Sequence, residues 1–389
     1  MDRKLFDKYV LKTYNRFPVT LVKGRGMKVW DDKGNEYLDF FPGWGAGNLG
    51  HCHPKVVAAV CNQIENILHV PNVYYNEPQG ELAKLIIENS IDGQVFFCNS
   101  GAEANEGAIK LVRKRNPHKK VIITLKNSFH GRTIATVAAT GQSDYQKGFE
   151  PLPRGFEYCE VNNVDMLKSM MTDKVAAVMF EPILGEGGIV PVTPEFMTAA
   201  RQLCDDYDAL LILDEVQTGI GRTGKLFAYQ HFGIEPDVLT MAKSLGGGIP
   251  IGAFAVKRDY CDILQPGSHG STFGGNPVAC AAGVAVLEAI AAENLLANAA
   301  KMGNYLRKQL TALKAEYDIV KEVRGIGLML GMELTVPGVD IVRECRKQNV
   351  LLNCTHKTVL RLMPAINVTA DIIDRVVAVI DEALKGATA

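Results

Sequence analysis

No apolar run in the sequence approaches the length of a helical membrane span, so an integral membrane protein is not expected. The first ten residues, Met1 to Val10, carry acids and no continuous apolar core, which argues against a secretory signal peptide. Charge of one sign is lacking too. The 42 basic and 43 acidic residues leave a formal net charge of -1, with no overall footprint for nucleic acid or an anionic membrane. The local basic run from Arg113 to Lys120 reads as a solvated helix end, where cations complement the helix dipole. None of the nine cysteines shows CxxC spacing, and an odd count of scattered thiols fits a reducing compartment. His51-Cys52-His53 invites a metal reading, but it matches no common zinc spacing and no second Cys or His cluster follows. A turn packed on the core is the alternative, and no metal is expected. Repeats and low-complexity tracts are absent. Together these absences predict a soluble, cytoplasmic protein whose partners are small molecules.

What is present is an ordinary globular composition, 47% apolar and 22% charged over 389 residues, enough for a large core divided into two domains. Short strand-like runs occupy Pro18–Val22, Met27–Trp30 and Tyr37–Phe40, and a glycine-rich stretch follows from Phe41 to Pro54. Helical patterns cover 54–68 and 78–90. Continuous apolar runs then recur at Val95–Cys98, Val121–Leu125, Val175–Phe180, Leu210–Leu213 and Val238–Met241, with Gly252–Val256 as one further strand. Continuous rather than alternating apolarity predicts strands covered on both faces, an α/β fold around a mostly parallel sheet. Beyond Gly275 the character changes. Residues 276–317 are helical with a break near Asn294, followed by strands at 320–334, 350–353 and 359–363 and helices at 338–348 and 369–385. This predicts residues 1–45 as the N-terminal part of a small domain, 46–275 as a large domain, and 276–389 as a connecting helix and the rest of the small α+β domain.

Open α/β sheets bind ligands in the crevice at the carboxyl ends of their strands, so the residues there are the candidates. Val238–Met241 delivers Lys243 straight into Ser244 and a glycine triplet. A lysine in an apolar setting is costly as an ammonium, and its neutral amine forms a Schiff base with a carbonyl. A strand-end lysine snorkelling to solvent is the bland alternative. After Val95–Cys98 comes Asn99-Ser100-Gly101-Ala102, opening a helix whose free N–H groups suit a phosphate; plain N-capping by Ser100 competes with that reading. Phe129-His130-Gly131-Arg132 places an aromatic ring and a guanidinium at the same edge, and Glu181 and Glu186 follow Phe180. Gly219, Gly221 and Gly224 satisfy GxGxxG, but Leu226 stands where a P-loop needs Ser or Thr, and the glycines begin several residues past the strand end. Asp214 at one strand end and Lys243 at a later one are what pyridoxal phosphate requires: a carboxylate to keep the pyridine nitrogen protonated and an amine to hold the aldehyde.

The set Asn99–Asn105, Phe129–Arg132, Glu181-Pro182, Leu213–Gly224, Lys243 and Ser271–Pro277 resembles the class III pyridoxal-phosphate aminotransferases, from about Tyr14 to the C-terminus and in the right order. The resemblance is nearest to the acetylornithine branch, with ornithine and GABA aminotransferases as relatives. It implies pyridoxal-phosphate fold type I, with a mostly parallel seven-stranded sheet, and a homodimer with active sites at the subunit interface. It implies transfer of a terminal amino group from an N-acylated diamino acid to 2-oxoglutarate, as in arginine biosynthesis. Carried onto this sequence, Lys243 holds the cofactor and moves the proton, and Asp214 pairs with the ring nitrogen. Gln217 bonds the ring hydroxyl, Val216 packs under the ring, Phe129 stacks on it, and Ser100, Gly101 and Ala102 hold the phosphate with Thr272 of the neighbouring subunit. Arg132 takes the donor α-carboxylate, with Ser271 and Tyr14 at the substrate. Glu186 pairs with Arg361 until a second carboxylate displaces it. Trp44 departs from the pattern: it either narrows the acyl pocket, stacks on the donor, or packs in the core. That leaves free ornithine, succinylornithine and N-succinyl-diaminopimelate as alternative donors, and a nucleotide-binding protein or a pyridoxal-phosphate-binding regulator as readings of another class.

Overall fold

The computed structural model describes residues 4–388. Its centre is a seven-stranded sheet, numbered in chain order as β1 (Gly93–Cys98), β2 (Val121–Leu125), β3 (Phe156–Cys159), β4 (Val175–Phe180), β5 (Leu210–Asp214), β6 (Val238–Met241) and β7 (Gly252–Lys257). The spatial order is β1-β7-β6-β5-β4-β2-β3. β2 to β6 pair parallel, while β7 runs antiparallel to both of its neighbours, so β1 points the same way as the other five. Six carboxyl ends therefore meet at one edge. The expected strands are present, and the continuous runs are central: every residue of β4, β5 and β6 is buried. β3 escapes a search for apolar runs because it is an edge strand of Phe-Glu-Tyr-Cys, only one of whose residues is fully buried.

Two smaller sheets flank this core. Leu21–Arg25, Lys28–Asp31 and Glu36–Asp39 form antiparallel pairs, and Val350–Leu351 adds parallel to Glu36–Asp39, joining the two ends of the chain in one sheet. The run expected as one strand over 320–334 is a hairpin, Val320–Ile326 and Met329–Leu334, because Gly327 at φ 56 turns the chain. Met329–Leu334 then pairs with Val359–Leu362, and that strand with Asn353–Thr355. The stretch 350–353 thus splits between two sheets. The long helical stretch breaks where expected: Pro277–Ala292 ends before Asn294, which adopts φ 52, and Leu295–Glu316 follows. Among the described residues no single helix is long and apolar enough to cross a membrane.

The two tempting motifs have structural partners. His51 Nε2 lies 2.9 Å from Asp39 Oδ2, and His53 pairs with Glu293 at 3.4 Å. In the GxGxxG segment the N–H groups a phosphate would need are spent on protein: Gly219 donates to Glu215 O at 2.9 Å, Gly221 to Leu226 O at 3.0 Å and Gly224 to Gly221 O at 3.1 Å. Arg222, fully buried, donates from Nη1 to the carbonyls of Leu328 and Pro364. The segment is a brace between the large sheet and the 320–366 region, which answers the nucleotide reading on geometric grounds.

Candidate active site

Asp214 ends β5 and is 3% exposed. Its Oδ2 accepts from Asn105 Nδ2 at 2.7 Å and stands 2.8 Å from His130 Nδ1, while Oδ1 accepts from the Val216 N–H at 3.1 Å. Thr240 Oγ1 donates to Asn105 Oδ1 at 2.7 Å, which fixes the amide so that its NH2 faces Asp214. Buried polar groups survive only when paired in this way. Asn105 and His130 fell within motifs visible in the sequence, yet nothing in their spacing assigned them to Asp214, from which they stand 109 and 84 residues away.

Lys243 follows β6 at φ 42, a left-handed conformation that a lysine adopts only when its surroundings impose it. Ser244, next in sequence, donates to Gly45 O at 2.7 Å and anchors that turn. Burial pushes the Lys243 ammonium below its ordinary range, and Arg361 adds to the effect, against the opposing pull of Glu186, Asp214 and Glu181. The neutral amine needed for reaction with an aldehyde is thereby favoured.

Helix Gly101–Arg115 starts at the carboxyl end of β1, with Ser100 as its N-cap accepting from Glu103 N–H at 3.2 Å. The first N–H groups of a helix have no intrahelical partner, and those of Gly101 and Ala102 border a cavity of about 590 Å³. A Cβ on Gly101 would stand 2.7 Å from a Val216 methyl carbon, so only glycine admits Val216 there. Both Ser100 roles, capping and bordering the cavity, hold at once. Asp214, Gln217, Lys243, Phe129, Arg132, Glu181, Glu186 and Tyr14 share this cavity wall.

Glu181 is buried, and its two oxygens accept the Phe129 N–H at 2.9 Å and the Gly185 N–H at 3.0 Å. Burial raises its carboxyl to about 7, with Asp214 adding to the rise and His130 opposing it. Beyond Glu186 stands Arg361, fully buried, whose Nη1 donates to Glu186 Oε1 at 2.7 Å and to Gly185 O at 3.2 Å. Gln217 Oε1 lies 3.4 Å from the same nitrogen, against Gly185, where a Cβ would come within 2.1 Å of Gln217 Oε1. Asn353 Oδ1 accepts from Nε and Nη2 at 3.0 and 2.8 Å, a partner that sequence reading missed because it arrives from a neighbouring strand.

Trp44 stands at φ 60 and 52% exposed, which removes the core-packing alternative. It lies outside the cavity wall, edge-on to Phe41 with ring centroids 5.4 Å apart. The Arg361 guanidinium carbon is 4.4 Å from the Phe41 centroid and 5.7 Å from that of Trp44. Ser271 and Thr272 also lie outside it. They border a second hollow of about 370 Å³ beside Asn99, and Ser271 Oγ accepts from Asn99 Nδ2 at 3.1 Å.

The residues present fit pyridoxal phosphate. A helix N-terminus suits the phosphate, Val216 and Phe129 offer apolar faces for a ring, Asp214 suits a pyridinium, and Lys243 Nζ suits the aldehyde.

A family model, aminotransferase class-III, matches residues 9–384. The chain is 51% identical over 384 residues to an acetylornithine aminotransferase of Caldanaerobacter subterraneus subsp. tengcongensis, covering 97% of this chain and 98% of that one. It is 49% identical to an acetylornithine aminotransferase of Methanocaldococcus jannaschii, covering 97% and 96%. Among solved structures, ornithine aminotransferase from Toxoplasma gondii superposes with a TM-score of 0.95 at 34% identity, covering 99% of this chain and 94% of the other. N-acetylornithine aminotransferase from Stenotrophomonas maltophilia does so with a TM-score of 0.85 at 36% identity, covering 99% of both. With fold, strand-end residues and relatives in agreement over nearly its whole length, the chain belongs to the class III aminotransferases, which depend on pyridoxal phosphate.

Proposed function

We propose that the protein transfers the terminal amino group of N-acetylornithine to 2-oxoglutarate, giving N-acetylglutamate semialdehyde and glutamate, the step used in arginine biosynthesis. The observation that carries this reading is one open guanidinium and one lysine on a single cavity, with a second guanidinium behind a carboxylate of its wall. Arg132 lies open on it, and Arg361 is masked by Glu186 at 2.7 Å. A donor with one free carboxylate and an acceptor with two must use the same site in turn, and a masked second guanidinium meets that demand. The acetyl specificity is supported by the two acetylornithine aminotransferases that are 51% and 49% identical to this chain.

Bound pyridoxal phosphate supplies an electron-withdrawing ring that takes up the amino group and stabilises negative charge on the adjacent carbon. The chain's residues do the rest. Gly101 and Ala102 hold the phosphate by backbone N–H groups, joined by the partner's Thr272. Asp214, itself held by Asn105 and His130, orients the ring nitrogen, while Val216, Phe129 and Gln217 set the ring's plane. Lys243 Nζ holds the cofactor and then moves the proton at the donor's δ carbon. Arg132, with Tyr14 on the same cavity wall, binds the donor α-carboxylate so that the δ-amine reaches the aldehyde carbon that Lys243 holds. Glu186 covers Arg361 while a singly charged donor occupies the site, and swings away when the second carboxylate of 2-oxoglutarate or glutamate arrives.

A cytoplasmic homodimer with sites at the subunit interface belongs to the same reading. It is supported by the exposed apolar patch of Val73 (82%), Tyr75 (106%) and Phe273 (60%), larger residues than a monomer surface gains by leaving wet. So does the division into 1–45, 46–275 and 276–389, supported by the sheet that joins residues 21–39 to 350–351. The test is a panel of N-acetylornithine, free ornithine, succinylornithine and N-succinyl-diaminopimelate with 2-oxoglutarate. The highest kcat/KM is expected for N-acetylornithine; a higher value for any of the others overturns the assignment.

A further inference from the structure

Arg132 makes no hydrogen bond or ion pair with protein among the described residues, and its side chain is exposed. An arginine that must present its N–H groups to a ligand in one pose, with none of them anchored, needs another kind of hold. The structure supplies one. The guanidinium carbon lies 4.0 Å from the centroid of the Tyr145 ring and 5.5 Å from that of Phe129. The two rings meet edge to face, 5.6 Å apart with an interplanar angle of 80°. Contact through ring faces leaves the in-plane N–H groups of a guanidinium uncommitted.

We infer that Tyr145 is a positioning residue that sets the pose of Arg132 and thereby the enzyme's discrimination in favour of donors bearing an α-carboxylate. The inference rests on the reading of Arg132 given above.

Tyr145 is itself held firmly. It belongs to the one-turn helix Ser143–Gln146, and its N–H donates to Gln142 O at 3.1 Å. Gln142 Nε2 donates to Asn127 O at 3.2 Å and Ser128 O at 3.0 Å, the loop that carries Phe129 and Arg132. On the other side, Gln146 Nε2 donates to Thr140 O and to Tyr158 Oη, both at 2.8 Å. The ring is thus tied by one glutamine to the loop it braces and by another to the sheet edge behind it. Burial raises the Tyr145 phenol above its ordinary value, with Glu186 adding to the rise, so the ring stays neutral at working pH.

The experiment compares N-acetylornithine with monoacetylated 1,4-diaminobutane, the same donor without its carboxylate, on the holoenzyme. The reading is the ratio of the two kcat/KM values in wild type, Tyr145→Leu, Tyr145→Phe and Arg132→Ala. Tyr145→Leu is expected to lower the ratio roughly three- to tenfold, the range for loss of a partly exposed cation–π contact, through KM rather than kcat. Tyr145→Phe, which retains the ring face, is expected to keep the wild-type ratio. If Tyr145→Leu keeps it while Arg132→Ala abolishes it, Arg132 stands and the role of Tyr145 falls. If Tyr145→Phe lowers it as far as Tyr145→Leu, the stacking account is overturned in favour of the hydroxyl. If Arg132→Ala leaves the ratio unchanged, the reading of Arg132 falls first and this inference with it.

Discussion

Arg132 lines the cavity, Arg361 stands behind Glu186 on its wall, and the two are held in opposite ways. Arg132 is exposed, stacked on Tyr145 and Phe129, with no hydrogen-bonding partner in the protein among the described residues. Arg361 is fully buried, with Glu186, Gly185, Gln217 and Asn353 around its nitrogens and Phe41 over its face. On the proposed function, the difference is the means by which one site treats two substrates. A guanidinium whose donors are free binds any carboxylate that arrives, whereas one whose donors are taken binds only a ligand able to displace its partner. Glu181 links the two regions, since one oxygen accepts from the loop of Arg132 and the other from Gly185, in the loop that carries Glu186, the partner of Arg361.

Substitutions sharpen the contrast. Arg361→Ala leaves several buried acceptors unpaired and is expected to cost about 3–5 kcal/mol of stability, along with turnover of 2-oxoglutarate. Arg132→Ala is expected to change stability by no more than about 0.5 kcal/mol. It should nevertheless raise the KM for the amino donor roughly 10- to 100-fold, the worth of hydrogen bonds to a charged group at about 1.5–3 kcal/mol. Denaturation curves beside steady-state kinetics check both, and equal stability losses would erase the distinction. Glu186→Ala unmasks Arg361, so the preference for glutamate over N-acetylornithine, as a ratio of kcat/KM, is expected to rise about tenfold, equivalent to ~1.4 kcal/mol. An unchanged ratio would count against masking.

A dependence on pH is expected at Glu181. Its folded value of about 7 lies above the ~4.3 of an unfolded glutamate, so the folded state binds the extra proton between those limits. Its contribution is most favourable at the acid end and is lost as pH rises toward 7. The stability of Glu181→Gln relative to wild type should therefore increase between pH 5 and pH 7, by roughly 2 kcal/mol. A constant difference across that interval would show that burial does not govern this carboxyl.

The parts of the site legible in the sequence were those written locally. β5 ending in Asp214 and β6 leading to Lys243 are continuous buried runs, and sheet direction then brings their ends together. What stayed hidden depends on distant partners. Asn105 and His130 reach Asp214 across 109 and 84 residues, Asn353 meets Arg361 through strand pairing, and Tyr145 meets Arg132 from a one-turn helix with no periodic signal. The strand Phe156–Cys159 was missed because an edge strand need not be apolar throughout. Trp44 was visible as unusual, but only the structure shows it edge-on to Phe41, beside Arg361 and outside the cavity wall.

The proposed roles of the two arginines require that Lys243, on the same cavity as Arg132, carry the cofactor. Reduction of the fully loaded enzyme with borohydride, followed by digestion and mass mapping, tests this directly. The cofactor's mass should appear on the peptide containing Lys243 and on no other, and Lys243→Ala should show none while losing transamination roughly 10²–10⁴-fold. Cofactor mass on a different lysine, or on no peptide of loaded protein, would contradict the account.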